Sequence, residues 1–138
     1  MTGDSCASIG DLDPALTEAE LRYPDGKPRS QMLQRSNLEL RPSEYDALLE
    51  GRRVGLTIRE FQLLYVLAEH EDRVVRRTEI YRRVWGGEMK YRERAVDVFV
   101  RKLRNKLAIA APGWLYIHTH FGVGYRFSPE QLDPGITL

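Results

Sequence analysis

The stretch from Glu93 to Leu107, ERAVDVFVRKLRNKL, constrains this chain most, because it reads as a helix whose two faces need different surroundings. At about 100° per residue, Val96, Val100, Leu103 and Leu107 fall on one stripe, which must be buried against other elements. The opposite side collects Arg94, Ala95, Val98, Arg101, Lys102 and Asn105, and no acid. A solvated helix face ordinarily places Glu or Asp about four residues from each cation. Here the only acids are Glu93, in the first turn, and Asp97, on the flank. Arginine and lysine reach phosphates and guanine edges, asparagine reads adenine, and alanine or valine lies against thymine methyls, so this face suits the major groove of DNA. From this helix alone, a basic terminal helix facing only water is the competing reading.

The net charge of +1 hides a strong segregation along the chain. Residues 73–126 hold 13 Lys/Arg against 4 Asp/Glu, whereas residues 31–72 hold 5 against 8 and residues 1–30 hold 3 against 6. The basic half is where a polyanion would sit. With 138 residues and 42% hydrophobic content, the chain suffices for one domain with a real core plus a tail. Its single cysteine, Cys6, excludes an internal disulfide and a four-cysteine zinc site, and fits a reducing compartment. No apolar run approaches the length of a membrane span, and the acidic N-terminus lacks the charged and apolar regions of a signal peptide. These features predict a cytoplasmic protein with no membrane partner.

Residues 1–30, rich in Asp, Glu, Ser, Gly and Pro, read as a flexible arm. Within it, Asp13-Pro14 can start a short helix through about Arg22, followed by a turn at Tyr23-Pro-Asp-Gly. From Gln31 the runs QMLQR, NLELRP, YDALLEG and RRVGLT predict a small antiparallel meander. Thr57 and Glu60 stand in capping-box positions, with Leu56 and Phe61 in staple positions, so a helix begins there. It runs to about His70, a helix-end residue, with Phe61, Leu64, Tyr65, Leu67 and Ala68 on its apolar side. A second helix is predicted over about Arg77–Trp85, with Ile80, Tyr81 and Val84 inward and Gly86-Gly87 as its stop. The loop GGEMKYRE then carries Lys90, Tyr91 and Arg92 into the basic helix, giving a helix-turn-helix with an enlarged turn. After Pro112-Gly113, WLYIHTH and YRF flank the turn FGVG, which predicts a hairpin. Beside a reading helix that hairpin is a wing, whose exposed Thr119, His120, Phe121, Tyr125 and Arg126 reach a neighbouring minor groove or backbone. Residues 129–138 read as a frayed tail.

Three stretches, LTIREFQLLYVLAEHEDRVVRRTEIYRRVWG, RAVDVFVRKLRNKL and IHTHFGVGYRF, taken in this order resemble the signature of the OmpR/PhoB-type winged-helix DNA-binding domain, over about residues 31–128. The resemblance implies an α+β fold: a winged helix-turn-helix with an N-terminal four-stranded antiparallel sheet, three helices and a C-terminal β-hairpin wing. It also implies a bacterial response-regulator effector domain of a two-component system, binding double-stranded DNA to regulate transcription. The DNA-facing positions it implies are Arg94, Ala95, Val98, Phe99, Arg101, Lys102 and Arg104. Trp85 and Tyr125 match positions near phosphates, and Thr119 the wing strand's backbone contact. Arg92, Phe121 and Arg126 complete the candidate interface. The chain departs from the family pattern at Phe99, where His is usual, at Arg76, where Ser or Thr is usual, and at Phe121, where Arg is usual. These departures bear on one phosphate contact, one helix cap and the reading of the minor groove. Family members usually carry a receiver domain ahead of this one, for which residues 1–30 leave no room. The chain is therefore expected to be a solitary effector domain or a fragment, monomeric or weakly dimeric, and to bind tandem sites on DNA.

Two other function classes compete. A winged helix can serve protein contact alone, on RNA polymerase or a partner regulator through loop 86–92, and would then show a weak salt dependence of DNA affinity. An enzyme is disfavoured, because the sequence offers no paired carboxylates in a glycine-flanked loop, no Cys/His nucleophile pair and no phosphate-cradling GxxxxGK. His118 and His120 share a strand face without a third ligand, so no metal or cofactor is expected. Tyr65, Tyr81, Trp85 and Trp114 read as packing aromatics.

Overall fold

The computed structural model describes residues 31–132, so the expected N-terminal arm with its short helix, and residues 133–138, lie outside the described range. Four short strands, β1 (Leu33–Arg35), β2 (Leu38–Arg41), β3 (Asp46–Leu49) and β4 (Arg52–Arg53), hydrogen-bond in that order as the expected antiparallel meander. Alternation turns Leu38 and Leu40 of β2, and Ala47 and Leu49 of β3, inward, where Leu38 pairs with Leu49 and Leu40 with Ala47. Asp46 shapes the exit from the sheet, its Oδ1 accepting from the backbone N–H groups of Gly55 and Leu56, each at 3.1 Å.

That exit delivers Thr57 to the start of α1 (Ile58–Glu69), where the capping box closes in both directions. Glu60 N–H donates to Thr57 Oγ1 at 3.2 Å, and Thr57 N–H donates to Glu60 Oε1 at 2.9 Å. His70 is the C-cap, with Nδ1 2.9 Å from the carbonyl oxygen of Val66. All of α1 from Glu60 to Ala68 is buried, because it packs against the meander, both other helices and the hairpin. Glu60 is tolerated inside because Lys106 Nζ lies 2.7 Å from its Oε1. Burial alone would raise this carboxyl's pKa, but Lys106 and the Thr57 cap hold it below the ordinary carboxylate range.

The second helix, α2 (Arg77–Val84), stops at a Trp85 cap. Gly86, at φ 82°, takes the left-handed conformation that costs glycine nothing, and its N–H closes back on the carbonyls of Tyr81 and Arg82 at 3.2 and 3.0 Å. The basic helix, α3, spans Ala95–Ala110, so it begins after Arg94 and extends past the expected end at Leu107. Its buried residues are Val96, Val100, Leu103 and Leu107, the stripe that the spacing predicts.

Strands β6 (Trp114–His120) and β7 (Gly124–Gln131) form the expected hairpin, yet the sheet has a further member. No strand is predicted at Val74–Arg76, but these residues form β5, which pairs antiparallel with β7 in the order β5-β7-β6. The connection from α1 to α2 is thereby sewn onto the wing. A β-carbon on Gly124 would lie 1.9 Å from the carbonyl oxygen of Val75, so the close approach of these two backbones requires glycine. Of the expected frayed tail, residues 129–132 are ordered by the sheet instead, because β7 runs through Pro129 to Gln131 and Leu132 N–H donates to Gly113 O at 2.7 Å. Pro129 fits within a strand because the β6–β7 register shifts between Leu115 and Ile117, a bulge that asks no ladder bond of it. The boundary drawn after Ser128 therefore falls inside an element.

Candidate nucleic-acid interface

On α3 the core stripe fixes what remains outside. Arg101, Lys102 and Asn105 are exposed, as is Arg94 at the N-cap, while Ala95 and Val98 are half-buried among them. Among the described residues, Arg94 and Arg101 make no ion pair. Glu93, the first-turn acid, sits 3.3 Å from the Ala95 N–H through its Oε2 and so serves the helix start rather than the cationic face. Arg92 is exposed beside α3, its guanidinium 5.5 Å over the Tyr91 ring.

The aromatic residues form a support under this face. Tyr81 stacks on Trp85 at 5.4 Å and 17°, and Phe99 meets Trp85 edge-on at 5.3 Å and 71°. Trp85 and Phe99 are both half-buried, packed against the core yet partly open to solvent. Arg59 lies 5.7 Å over the Trp85 ring, and Lys102 Nζ 4.9 Å over the Phe99 ring. Tyr65 and Trp114 pack as expected: Tyr65 is buried with its hydroxyl donating to Gln31 O, and Trp114 stacks on Tyr116 at 5.8 Å.

Tyr125 corrects the reading of the wing. It is buried rather than exposed, because Tyr125 and Phe127 share the inward face of β7 while Arg126 points away from it. Its hydroxyl donates to Asp97 Oδ1, which also accepts from Arg77 Nε at 2.8 Å. The guanidinium groups of Arg77 and Arg104 lie over its ring at 5.4 and 5.6 Å. Burial pushes the Tyr125 phenol pKa up, and the neighbouring carboxylate adds to the rise. Burial would also raise Asp97, but the hydrogen bonds from Arg77 and Tyr125, with the charges of Arg77 and Arg94, hold its carboxyl below the usual range.

Arg104 is committed to the same joint. Its Nη2 donates to Ile117 O at 2.9 Å and to Thr119 Oγ1 at 2.6 Å, and burial lowers its pKa. Arg104 and Thr119, each expected to face DNA, thus hold each other and lock α3 to β6. Asp97 and Arg77, absent from the expected interface, turn out to fix its geometry. The signal available for them was the placement of Asp97 and Arg104 seven residues apart on one flank of α3, two turns of a helix.

At the tip of the wing Phe121 is 89% exposed and Val123 is exposed beside it. Arg126 Nε donates to His120 Nε2 at 3.1 Å, and His118 Nε2 lies 2.9 Å from Ser128 O. Both histidines are thus engaged within the wing, and the described residues hold no cluster of three or more His, Cys, Asp or Glu suited to a metal ion. No helix among them is long and apolar enough to cross a membrane.

Residues 51–127 match the family described as transcriptional regulatory protein, C terminal. The chain belongs to this OmpR/PhoB-type family of DNA-binding effector domains. Among solved structures, this OmpR/PhoB-type domain resembles the DNA-binding domain of CpxR from E. coli, with a TM-score of 0.66 and 33% identity, covering 72% of this chain and 97% of that one. It also resembles the Klebsiella pneumoniae RstA DNA-binding domain, solved in complex with the RstA box, with a TM-score of 0.64 and 28% identity over 71% of this chain and 97% of that one. The uncharacterized transcriptional regulatory protein YclJ of Bacillus subtilis is 41% identical over 86 residues, which are 62% of this chain and 37% of that protein. The alkaline phosphatase synthesis transcriptional regulatory protein SphR of Synechococcus elongatus is 33% identical over 113 residues, 82% of this chain and 39% of that protein. The OmpR/PhoB-type domain therefore spans well under half the length of these curated relatives.

Proposed function

We propose that this domain reads double-stranded DNA sequence-specifically, as the DNA-binding part of a bacterial transcriptional regulator acting in the cytoplasm. In this reading α3 enters the major groove and the β6–β7 wing lies on the adjoining minor groove or backbone. The observation that carries it is the outward face of α3, where Arg94, Arg101 and Lys102 stand without an acid among them while the remaining cations of the helix are engaged elsewhere. Val98 and Lys102, one helical turn apart in the middle of that face, meet base edges. Arg92, Arg94 and Arg101 meet phosphates, Arg126 serves the backbone under the wing, and the Asp97–Tyr125–Arg104 joint holds the two reading elements at a fixed angle. The RstA DNA-binding domain, solved in complex with the RstA box, supports this reading by likeness.

Loop 86–92, with Tyr91 90% exposed between the exposed Lys90 and Arg92, is the surface offered to RNA polymerase. The free chain is a monomer or weak dimer that pairs on tandem sites. Selection of bound sequences from a random DNA pool tests the proposal. Enrichment of a motif, repeated at about one helical turn of 10–10.5 base pairs, is the expected result. A pool that gains no motif over successive rounds defeats sequence-specific reading.

A further inference from the structure

We infer that Phe99 is a positioning residue that sets which base pair Lys102 reads, by holding the lysine ammonium over its ring. This rests on the reading above, that α3 lies in the major groove. Lysine is a compact charge on a flexible four-carbon stem, without the planar fork that orients arginine. Left free on an exposed helix face, its ammonium sweeps over more than one base pair. The three residues from Phe99 to Lys102 advance α3 by about 4.5 Å, at about 1.5 Å per residue. One base-pair step is about 3.4 Å. Drawing Nζ back over Phe99, rather than letting it extend toward Asn105, therefore changes the base pair within its reach.

Three observations support the holding role. Lys102 Nζ lies 4.9 Å from the centroid of the Phe99 ring, inside the range where the ring's negative face attracts a cation. The ring is braced from one side, where it abuts Trp85 edge-on at 5.3 Å and Trp85 in turn stacks on Tyr81 at 5.4 Å. Finally, no carboxylate competes for the ammonium. The outward face carries no acid, and Asp97 on the flank is occupied by Arg77 and Tyr125. A phenyl ring offers DNA neither a donor nor an acceptor, so its contribution to reading passes through the residue it holds. The ammonium keeps its hydrogen-bond donors on the side away from the ring, free for the O6 and N7 acceptors of guanine.

The test is random-pool selection with the full chain, run on the unaltered protein, Lys102→Ala, Phe99→Met, Phe99→Tyr and the double variant Phe99→Met with Lys102→Ala. Methionine is an apolar residue only slightly smaller than phenylalanine, with a flexible thioether suited to contact with Trp85, but has no ring face, whereas tyrosine keeps the face. At the base pair whose preference Lys102→Ala removes, Phe99→Met should lose about two- to fivefold of the preference, the size of an exposed cation–π contact. Phe99→Tyr should retain it, and Phe99→Met should have no further effect there once Lys102 is alanine. A uniform loss of affinity with that preference intact overturns the inference, as does an equal loss in the Lys102→Ala background. Should Phe99→Met fail to fold, proton NMR of the unaltered protein decides. Lys102 ε-methylene protons shifted upfield of those of Lys90 support the inference, and coincidence of the two overturns it. If the unaltered protein enriches no motif, the major-groove reading itself falls, a result separate from failure of the Phe99 variants.

Discussion

Replacing Asp97 with asparagine removes the carboxylate at which α2, α3 and β7 meet, while keeping the side-chain volume and a carbonyl acceptor. The carboxylate accepts from Arg77 Nε at 2.8 Å and from the Tyr125 hydroxyl. A hydrogen bond to a charged group contributes about 1.5–3 kcal/mol net. The Arg77 and Asp97 side chains are 26% and 30% exposed, so solvent screening brings their share toward the low end. With the neutral amide retaining part of both bonds, the expected loss is about 1–2 kcal/mol. For a domain of about 100 residues that lowers Tm by roughly 5–15 °C.

The loss carries a pH signature. The folded-state pKa of Asp97 lies below its unfolded value, so its stabilisation is complete above about pH 4 and disappears as the pH falls through the folded value. Thermal unfolding followed by circular dichroism, from neutral pH into acid, should show a gap between the two proteins that closes in acid as Asp97 itself becomes neutral. A gap that is absent at neutral pH, or that persists unchanged in acid, would refute the charge-based account of this joint.

Other expectations follow from single positions. Val98→Glu or Lys102→Ala should relax preference by about 1–3 kcal/mol at one or two base pairs, and an unchanged selected motif for Lys102→Ala would mean that the reading face is misplaced. Because Phe121 is 89% exposed and carries no charge, the unaltered wing should show little preference for an A-tract flank, and Phe121→Arg should gain both affinity and that preference. A tenfold A-tract preference in the unaltered protein, about 1.4 kcal/mol, would contradict this. Gly124→Ala places a carbon where Val75 O lies 1.9 Å away, so β5 must part from β7. Denaturant unfolding should register a loss of about 3 kcal/mol or more, and a loss under about 1 kcal/mol would show that the two backbones yield easily.

The parts of this molecule that were legible in the sequence are those written in local spacing. Thr57 and Glu60 announce the start of α1 because a capping box needs only two residues three apart, and the stripe from Val96 to Leu107 survives any detail of the neighbours. The wing was legible as a hairpin for the same reason. What escaped depended on residues distant in the chain. Strand β5 is three residues long, too short for alternation to show, and exists because β7 lies beside it. Tyr125 looks like an exposed wing residue until its spacing of two from Phe127 is read as an inward face, and that face is decided by α1 packing on β7 and by Asp97 of α3 meeting the Tyr125 hydroxyl. Arg104 and Lys106 look like two more phosphate-binding cations. Their partners, Thr119 and Glu60, lie in other elements, and no local rule connects them. Pro129 signals an end by composition, but a bulge in the opposite register lets the strand continue.

The most direct measurement of the central claim is the salt dependence of affinity for double-stranded DNA. Each phosphate neutralised contributes about 0.9 to the slope of log affinity against log salt. With Arg104 and Lys106 engaged inside the fold and Lys102 on a base edge, the cations left for phosphates are Arg92, Arg94, Arg101 and Arg126. The expected slope is about −3 to −4, which Lys106→Met leaves unchanged and Arg101→Ala reduces by about 1. A slope near zero would contradict it and leave only a winged helix used for protein contact.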